Sequence, residues 1–309
     1  MTDVLPRDAL VDLDKPAAAV ETPFGHFIAE FLESRVAAAA LVVLVLLICL
    51  AVAAPWITPQ NPYDLGSLDI FDSRKPPGGV ATAGFTMLLG SDGLGRDLYS
   101  AIVYGLRISL FVGIASGVIA LLIGMCAGLV AAYAGGRTES LIMRIVDLQL
   151  SFPAILIALM LVAVAGKGVD KIMLALVAVQ WAYYARTIRA SALVERRKEY
   201  VEAARGLALR PIRIMLRHIL PNCMAPLIVV ATVQTAHAIA LEATLSFLGV
   251  GMPQTEPSLG VLIANGFEYM LSGRYWISFF PGIALLVTIM TINLVGDQLR
   301  DTLNPRLRR

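Results

Sequence analysis

The chain alternates between long apolar stretches and shorter polar segments, and the lengths of the apolar stretches predict its architecture. A helix needs about 20 apolar residues to cross a hydrocarbon core of roughly 30 Å. Six stretches meet this length, over residues 36–57, 108–134, 145–165, 172–193, 223–248 and 277–295. The pattern therefore predicts an all-α polytopic membrane protein with about six transmembrane helices.

Two of these stretches carry features that predict where their helices lie. The second contains two GxxxG frames, starting at Gly113 and Gly124, which let helices pack closely, so we expect it inside the bundle. The fourth contains Arg186 and Arg189, each of which would cost roughly 2.5–3.5 kcal/mol at the bilayer centre. Both arginines are therefore expected at one end of their span.

The N-terminal region predicts a flexible tail, residues 1–21, followed by a surface helix. Apolar residues repeat there at helical spacing, a pattern typical of an amphipathic helix lying along the membrane: Phe24, Phe27, Ile28, Phe31 and Leu32. A cleaved signal peptide is the alternative, since residues 51–53 offer a small-residue cleavage site. The leader is too long for that, however, and the apolar run exceeds the usual 7–15 residues.

Composition supports a membrane protein and excludes several other classes. The 309 residues are 58% hydrophobic and 16% charged, and their mean hydropathy is +0.75, which is too apolar for an ordinary soluble domain. The formal net charge is +2 and the basic residues are spread over loops, so a nucleic-acid partner gains no support. Cys49, Cys126 and Cys223 lie in apolar runs without CxxC spacing, which favours neither a disulfide framework nor a metal site.

The basic residues also predict which way the chain crosses the membrane. An even number of spans puts both termini on one side, and cytoplasmic loops carry an excess of lysine and arginine. The loops on the side of the termini hold most of these residues, whereas the other side holds only Arg74, Lys75, Arg96, Lys167, Lys171 and Arg274. We therefore expect both termini, and the loop at residues 195–221, to be cytoplasmic.

The loop at residues 195–221 predicts two short amphipathic helices joined by a turn. Tyr200, Ala203, Ala204 and Leu207 follow the i, i+3, i+4, i+7 spacing of one helix face, where alanines permit close approach of another backbone. Pro211 suits the first turn of a second helix. Its apolar face holds Ile212, Met215, Leu216, Ile219 and Leu220, and another face holds Arg210, Arg213 and Arg217.

This segment resembles the "EAA" loop by which binding-protein-dependent ABC importer permeases engage their ATPases. The motif begins with Glu202-Ala203-Ala204. The family pattern places a glycine six residues after the glutamate; here that position is Ala208, and Gly206 lies two residues earlier. The resemblance implies that this loop couples the chain to ATPases through Tyr200, Glu202, Ala203, Ala204, Arg205, Gly206, Leu207, Ile212, Leu216 and Pro221.

Further motifs extend the resemblance over most of the chain from about residue 24. Residues 89–97 and 105–110, then Tyr133 to Pro153, residues 242–251 and the C-terminal segment 297–306 are similar, in that order, to the C-type permease subunit of the dipeptide, oligopeptide and nickel importers. The resemblance implies the type I ABC importer permease fold, with residues 22–107 as surface helix, first span and extracytoplasmic loop. Residues 108–309 would form the five-span core.

The resemblance also implies a function and a set of partners. The chain would be a non-catalytic subunit of an ATP-driven peptide importer in the bacterial inner membrane, working with a homologous permease, two cytoplasmic ATPases that use ATP and Mg²⁺, and an extracytoplasmic binding protein. No cofactor is expected on this chain. Nickel or glutathione-like cargo is the alternative within the family, and a passive channel is the alternative from another class, although it leaves the ATPase-loop motif unexplained.

Polar residues in the fifth apolar stretch are the candidates for a translocation path. Gln234, His237, Glu242 and Ser246 interrupt an otherwise apolar run. Polar groups are costly in hydrocarbon, so they should face the bundle interior, a partner subunit or a water-filled path. A simple hydrogen bond between helices explains Gln234 and His237 equally well, and Glu242 lies near the outer end, where it would meet water or cap the next loop.

Three other patterns have simpler explanations than a functional site. Asp92 to Asp97 superficially resembles a calcium loop, but Val103 stands where an EF-hand needs glutamate, so tight turns and a helix start at Asp97 are expected instead. Arg144 and Asp147 are spaced for an ion pair within one helix. The sequence contains no HExxH, GxSxG or P-loop motif, so it predicts no catalytic or nucleotide-hydrolysing site.

Overall fold

The computed structural model of the chain describes residues 23–64, 66 and 68–303. The predicted flexible tail at 1–21 and the last residues of the C-terminal motif lie outside these ranges. The helices, in chain order, are α1 (Pro23–Glu33), α2 (Arg35–Ile57), α3 (Leu98–Ala134), α4 (Gly136–Leu150), α5 (Ala154–Ala165), α6 (Val169–Glu195), α7 (Glu199–Gly206), α8 (Pro211–Ile214), α9 (Met224–Phe247), α10 (Leu259–Phe267) and α11 (Trp276–Leu303).

The all-α polytopic fold is confirmed, but the number of clear spans is smaller than six. Within the described residues, four helical segments are long and apolar enough to cross a membrane: Arg35–Ile57, Leu98–Ala134, Pro211–Phe247 and Trp276–Leu303. A fifth appears if α4 and α5 are counted together as one broken span. The third and fourth predicted spans, residues 145–165 and 172–193, do not match these clear spans.

The third predicted span, residues 145–165, is not one helix. α4 and α5 meet at an angle of 90°, and the break falls at Ser151, Phe152 and Pro153. Proline donates no backbone hydrogen bond and disfavours helical geometry in the residue before it, which explains the break. α5 alone has 12 residues and is about 18 Å long, too short to cross a core of roughly 30 Å.

The fourth predicted span corresponds to α6, which is long enough at 27 residues but too polar to count as a clear span. It packs against α3, α4, α5 and α9, so it lies within the bundle. Two ion pairs join α6 to α4: Arg186 pairs with Asp147, and Arg189 pairs with Glu139. The predicted ion pair between Arg144 and Asp147 is therefore wrong, because Asp147 turns towards the neighbouring helix.

α3 is the central helix, and its glycines determine how closely its neighbours approach. It has 37 residues and begins at Leu98, ten residues before the predicted start. A β-carbon at Gly113 would collide with Ile239 of α9, and one at Gly128 would collide with Ile188 and the backbone of Ala185 in α6. The prediction that the GxxxG frames place this helix inside the bundle is confirmed.

The segment between α2 and α3 forms a small folded cap with the antiparallel strands β1 (Gly79–Val80) and β2 (Thr86–Met87). The Asp92 carboxylate accepts hydrogen bonds from the Leu94 and Arg96 amides and forms a buried ion pair with Arg96 at 2.6 Å. The Asp97 carboxylate accepts a hydrogen bond from the Ser100 amide at 2.8 Å and caps α3. The predicted tight turn and helix start are confirmed.

The predicted amphipathic helix is present as α1, which packs against α2 and α11. Phe31 is buried together with Val295 of α11, whereas Ile28 and Leu32 are exposed. This division is the one expected of an amphipathic helix that holds its inner face on the bundle and its outer face at the membrane surface.

Candidate functional site

The loop between α6 and α9 folds into two short helical segments, as predicted. α7 has eight residues and is followed by a turn and by α8. α8 then continues through a π-helical turn (Met215–Ile219) and a 3-10 turn (Leu220–Cys223) into α9. Pro221 lies in this last turn. The second segment is therefore a bent extension of α9.

One face of the loop packs on the bundle. Val201, Ala204, Ile214, Ile219 and Cys223 are buried in a single cluster with residues of α3 and α6. Ala204 is only 4% exposed. The close approach predicted for the alanines is thus made by Ala204 within its own chain, on the same face as Val201, whereas Tyr200, Ala203 and Leu207 are exposed.

The loop also exposes three large apolar side chains, which we call the outer patch: Leu207, Ile212 and Leu216. They are 75%, 64% and 54% exposed. Other exposed residues of the loop include most of the remaining residues implied by the resemblance and three further arginines: Glu202, Ala203, Arg205, Gly206, Arg210, Arg213 and Arg217. Exposed apolar side chains accompanied by polar ones are typical of a protein-binding surface.

The turn between α7 and α8 places alanine in a conformation that favours glycine. Ala208 has a φ of 51°. The Ala208 amide donates to the Arg205 carbonyl, and the Leu209 amide donates to the Ala204 carbonyl. This is the Schellman arrangement, in which the residue at the Ala208 position is most often glycine. Position 208, where the family pattern has glycine, is thus the position with left-handed geometry. Gly206 is an ordinary helical residue.

Replacing Ala208 with glycine is expected to stabilise the loop by roughly 0.5–1 kcal/mol. Glycine removes the left-handed strain of about 1–2 kcal/mol, and the greater entropy of its unfolded state offsets part of that gain. Hydrogen exchange of the α7 amides should slow accordingly. Gly206→Ala is the control, since Gly206 has open space around it; faster exchange in Ala208→Gly than in the unmodified chain would contradict the assignment of strain.

A network of polar side chains anchors α7 to the end of α6. The Tyr200 hydroxyl donates to the Glu195 carboxylate, and the Asn222 amide donates to the Tyr200 oxygen at 3.0 Å. Lys198 pairs with Glu195 at 2.6 Å. Tyr200 thus joins α6, α7 and the segment before α9, so its hydroxyl serves the loop's own geometry.

The anchor keeps its protonation state throughout the neutral range. Burial alone would raise the pKa of Glu195, but hydrogen bonds from Lys198 and Tyr200 hold it below its usual value. The stabilisation of the loop by ionised Glu195 is therefore fully present above the ordinary carboxyl pKa. It is lost only as pH falls below that value. Burial and the Glu195 carboxylate raise the pKa of Tyr200 to about 12, so its contribution is lost only as pH rises above about 10.

Removing the Tyr200 hydroxyl is expected to loosen the loop. Tyr200→Phe leaves Glu195 with one hydrogen-bonding partner fewer and should cost about 1–2 kcal/mol, reduced from the value for fully buried bonds because Tyr200 is partly exposed. The amides of α7 should exchange roughly 5–30 times faster near pH 7. Phe279→Tyr, at an exposed site on α11, is the control for exchanging phenylalanine and tyrosine. Unchanged amide exchange in Tyr200→Phe would show that the Tyr200 hydroxyl does not anchor α7.

The four polar residues predicted for a translocation path do not share one face of α9. Glu242 is fully buried and accepts hydrogen bonds from Ser109 of α3 and from Ser246. Ser246 in turn accepts the Met252 amide at 3.2 Å. These two residues therefore brace α3, α9 and the following loop, and the expectation that Glu242 meets water is wrong.

The other two predicted path residues lie elsewhere. His237 is exposed on α9. Gln234 is 4% exposed and borders an 820 Å³ cavity at the same end of the bundle as the loop, together with Arg186 and Arg300. Sequence reasoning missed this cavity, because its wall combines residues of α4, α6, α9 and α11 that are far apart along the chain.

Comparisons with known proteins agree with the helical membrane fold. Residues 120–309 match the family described as "Binding-protein-dependent transport system inner membrane component", and residues 22–77 match the "N-terminal TM domain of oligopeptide transport permease C". The chain is also similar in fold to the inward-facing MetNI methionine ABC transporter, with a TM-score of 0.55 and 19% identity, over 67% of this chain and 98% of the other.

Curated relatives span nearly the whole chain. The di/tripeptide transport system permease protein DppC of Pseudomonas aeruginosa is 36% identical over 95% of each chain. The dipeptide transport system permease protein DppC of Escherichia coli is 38% identical over 93% of this chain and 95% of the relative. The oligopeptide transport system permease protein OppC of Bacillus subtilis is 35% identical over 90% and 88%. With its family match, its relatives and its fold in agreement, this chain belongs to the inner-membrane permease components of binding-protein-dependent ABC transport systems.

Proposed function

We propose that this chain is the C-type transmembrane subunit of an ATP-driven importer of dipeptides or oligopeptides. It would pair with a homologous permease, receive peptide from an extracytoplasmic binding protein and dock two cytoplasmic ATPases, which bind and hydrolyse ATP with Mg²⁺. The relatives that support peptide cargo are named as dipeptide, di/tripeptide and oligopeptide permeases and match along most of the chain.

The outer patch is the observation that carries the proposal. Leu207, Ile212 and Leu216 are exposed on a projection whose inner face is buried. The projection is tied to α6 by the Tyr200 anchor and runs directly into α9. An ATPase that moves the outer patch would therefore move α6 and α9 together and shift the bundle between inward- and outward-open packings.

In this proposal the loop and both termini are cytoplasmic, as the distribution of lysine and arginine favours. The outer patch then lies in the compartment that contains ATP. Residues 22–107 form the surface helix, first span and extracytoplasmic cap, and residues 108–309 form the permease core with the coupling loop at 195–221. His237 would face the homologous permease or the path, since an exposed histidine within an apolar span is costly against lipid.

The test is uptake by the complete importer in vesicles of defined composition. Reconstitution with ATPases inside and binding protein outside should give ATP-dependent accumulation of a labelled dipeptide. ATP-dependent accumulation of Ni²⁺ or glutathione in place of peptide would support the alternative cargo. Flux of peptide without ATP would support a passive channel and contradict the proposal.

A further inference from the structure

The C-terminal end of α3 shares a buried cluster with the coupling loop. Leu129 and Ala132 of α3 belong to the same cluster as Val201 and Ala204 of α7, and the partly buried Tyr133 packs against it. α3 has 37 residues, which makes it about 55 Å long. The helix therefore runs from the folded cap at one end of the bundle to the coupling loop at the other.

Two arginine side chains lie against the ring of Tyr133. The guanidinium carbon of Arg205, in α7, is 5.7 Å from the ring centroid, and that of Arg196, at the end of α6, is 5.8 Å from it. A guanidinium within about 6 Å of an aromatic centroid is attracted to the ring. Arg196 also donates from Nη1 to the Ala132 carbonyl at 2.7 Å, near the negative end of the α3 dipole. Tyr133 thus joins the ends of α3, α6 and α7.

The two guanidinium groups have little else to hold them at this junction. Neither arginine has a carboxylate partner within 4.0 Å among the residues that the structure describes. Two positive charges brought to one place repel each other. The Tyr133 ring and the Ala132 carbonyl therefore supply the attraction that keeps both arginines there.

The other end of α3 is fixed to the folded cap and to the loop after α9. Asp97 caps the helix, and its amide donates to the Gln60 side chain at 2.7 Å. Arg96, just before the helix, donates from Nη1 to the Gln254 carbonyl at 3.2 Å. Because a packed helix can carry a displacement as one rigid element, α3 connects the coupling loop to the opposite end of the bundle.

We propose that Tyr133 is a positioning residue for transport, which holds the end of α3 on the coupling loop so that movement of the loop is passed along α3 to the folded cap. The inference rests on the proposed function, since it needs ATPases to move this loop. It adds α3 to the two helices that the Tyr200 anchor and the continuity of the chain already join to the loop.

The reconstituted importer tests the inference through the amount of peptide accumulated per ATP hydrolysed. Tyr133→Leu keeps an apolar side chain but removes the ring. It should leave ATPase association unchanged and lower peptide accumulated per ATP about fivefold or more, the change that losing two exposed cation–π contacts gives in an equilibrium. Tyr133→Phe should behave as the wild type, because phenylalanine also attracts cations.

Arg205 supplies a second variant at an exposed site, where folding is not at risk. Arg205→Gln should lower peptide accumulated per ATP in the same direction, and Arg205→Lys, which keeps the cation, should retain more of it. Combining Tyr133→Leu with Arg205→Gln should be no worse than Tyr133→Leu alone, since the two changes remove one shared contact. Arg137→Gln, at an exposed arginine near the start of α4, is the matched control and should change nothing.

Three results would overturn the inference. The first is wild-type peptide accumulation per ATP in Tyr133→Leu, and the second is an additive loss in the double variant, which would show that the two side chains act independently. The third is equal coupling in Arg205→Gln and Arg205→Lys, which decides the matter even if Tyr133→Leu does not fold. Failure of the unmodified chain to bind ATPases, or peptide flux without ATP, would instead contradict the proposed function itself.

Discussion

Replacing Leu216 with aspartate is expected to weaken ATPase association by about one to two powers of ten. Leu216 is 54% exposed at the outer patch, so the substitution should leave the bundle intact. In the assembled importer it would place an unpaired charge in an apolar contact, which is costly unless a partner group neutralises it. The measurement is co-purification of the ATPases with the permease pair, together with peptide-stimulated ATP hydrolysis.

Leu216→Met is the matched control, because it keeps the volume and the apolar character of the site. It should retain both activities. Wild-type association in Leu216→Asp would show that the outer patch is not the docking surface. Ala204→Trp would not test docking, since Ala204 is buried in its own chain and a bulky residue there would disrupt the loop itself.

Replacing Gly128 with alanine is expected to destabilise the bundle by roughly 1–3 kcal/mol or more. The added carbon collides with Ile188 and with the backbone of Ala185 on α6, and backbone moves less readily than a flexible side chain. Overpacking of a tight contact typically costs this much. The midpoint of thermal unfolding of the purified chain should fall, and assembly with the homologous permease should decrease.

Gly282→Ala provides the control within the same fold. Gly282 is helical and has open space around the position of an added carbon, so alanine should be neutral or stabilising there. Equal unfolding midpoints for Gly128→Ala and the wild type would contradict the close contact between α3 and α6.

Helices that are apolar on every side, because they are buried or face lipid, are predicted well from the sequence, since they appear as continuous apolar runs. α2 and α11 are such helices, and the GxxxG frames also indicate correctly that α3 is central. The bend between α4 and α5 is less predictable, because the apolar count continues across Ser151 to Pro153 and only the proline indicates a break. Arg186 and Arg189 similarly lower the hydropathy of α6, while their acidic partners lie on α4, distant along the chain.

The loop at residues 195–221 was likewise only partly predictable from the sequence. Helical spacing correctly predicts two short helices and a turn, but spacing alone cannot fix the rotation of a helix against its support. The sequence of α7 allows either of two adjacent faces to pack on the bundle. The structure buries the face that contains Val201 and Ala204. Ala208 differs in this respect, because the family pattern places a glycine there and the structure shows a left-handed residue at that position.

Thiol labelling at the outer patch tests whether this loop is the cytoplasmic ATPase-docking surface. Ile212→Cys would be placed in a chain whose native cysteines are replaced, and treated with an impermeant thiol reagent. We expect no labelling in intact cells, labelling in inverted vesicles that lack the ATPases, and protection when the ATPases are bound. Labelling from outside intact cells, or equal labelling of inverted vesicles with and without bound ATPases, would contradict it.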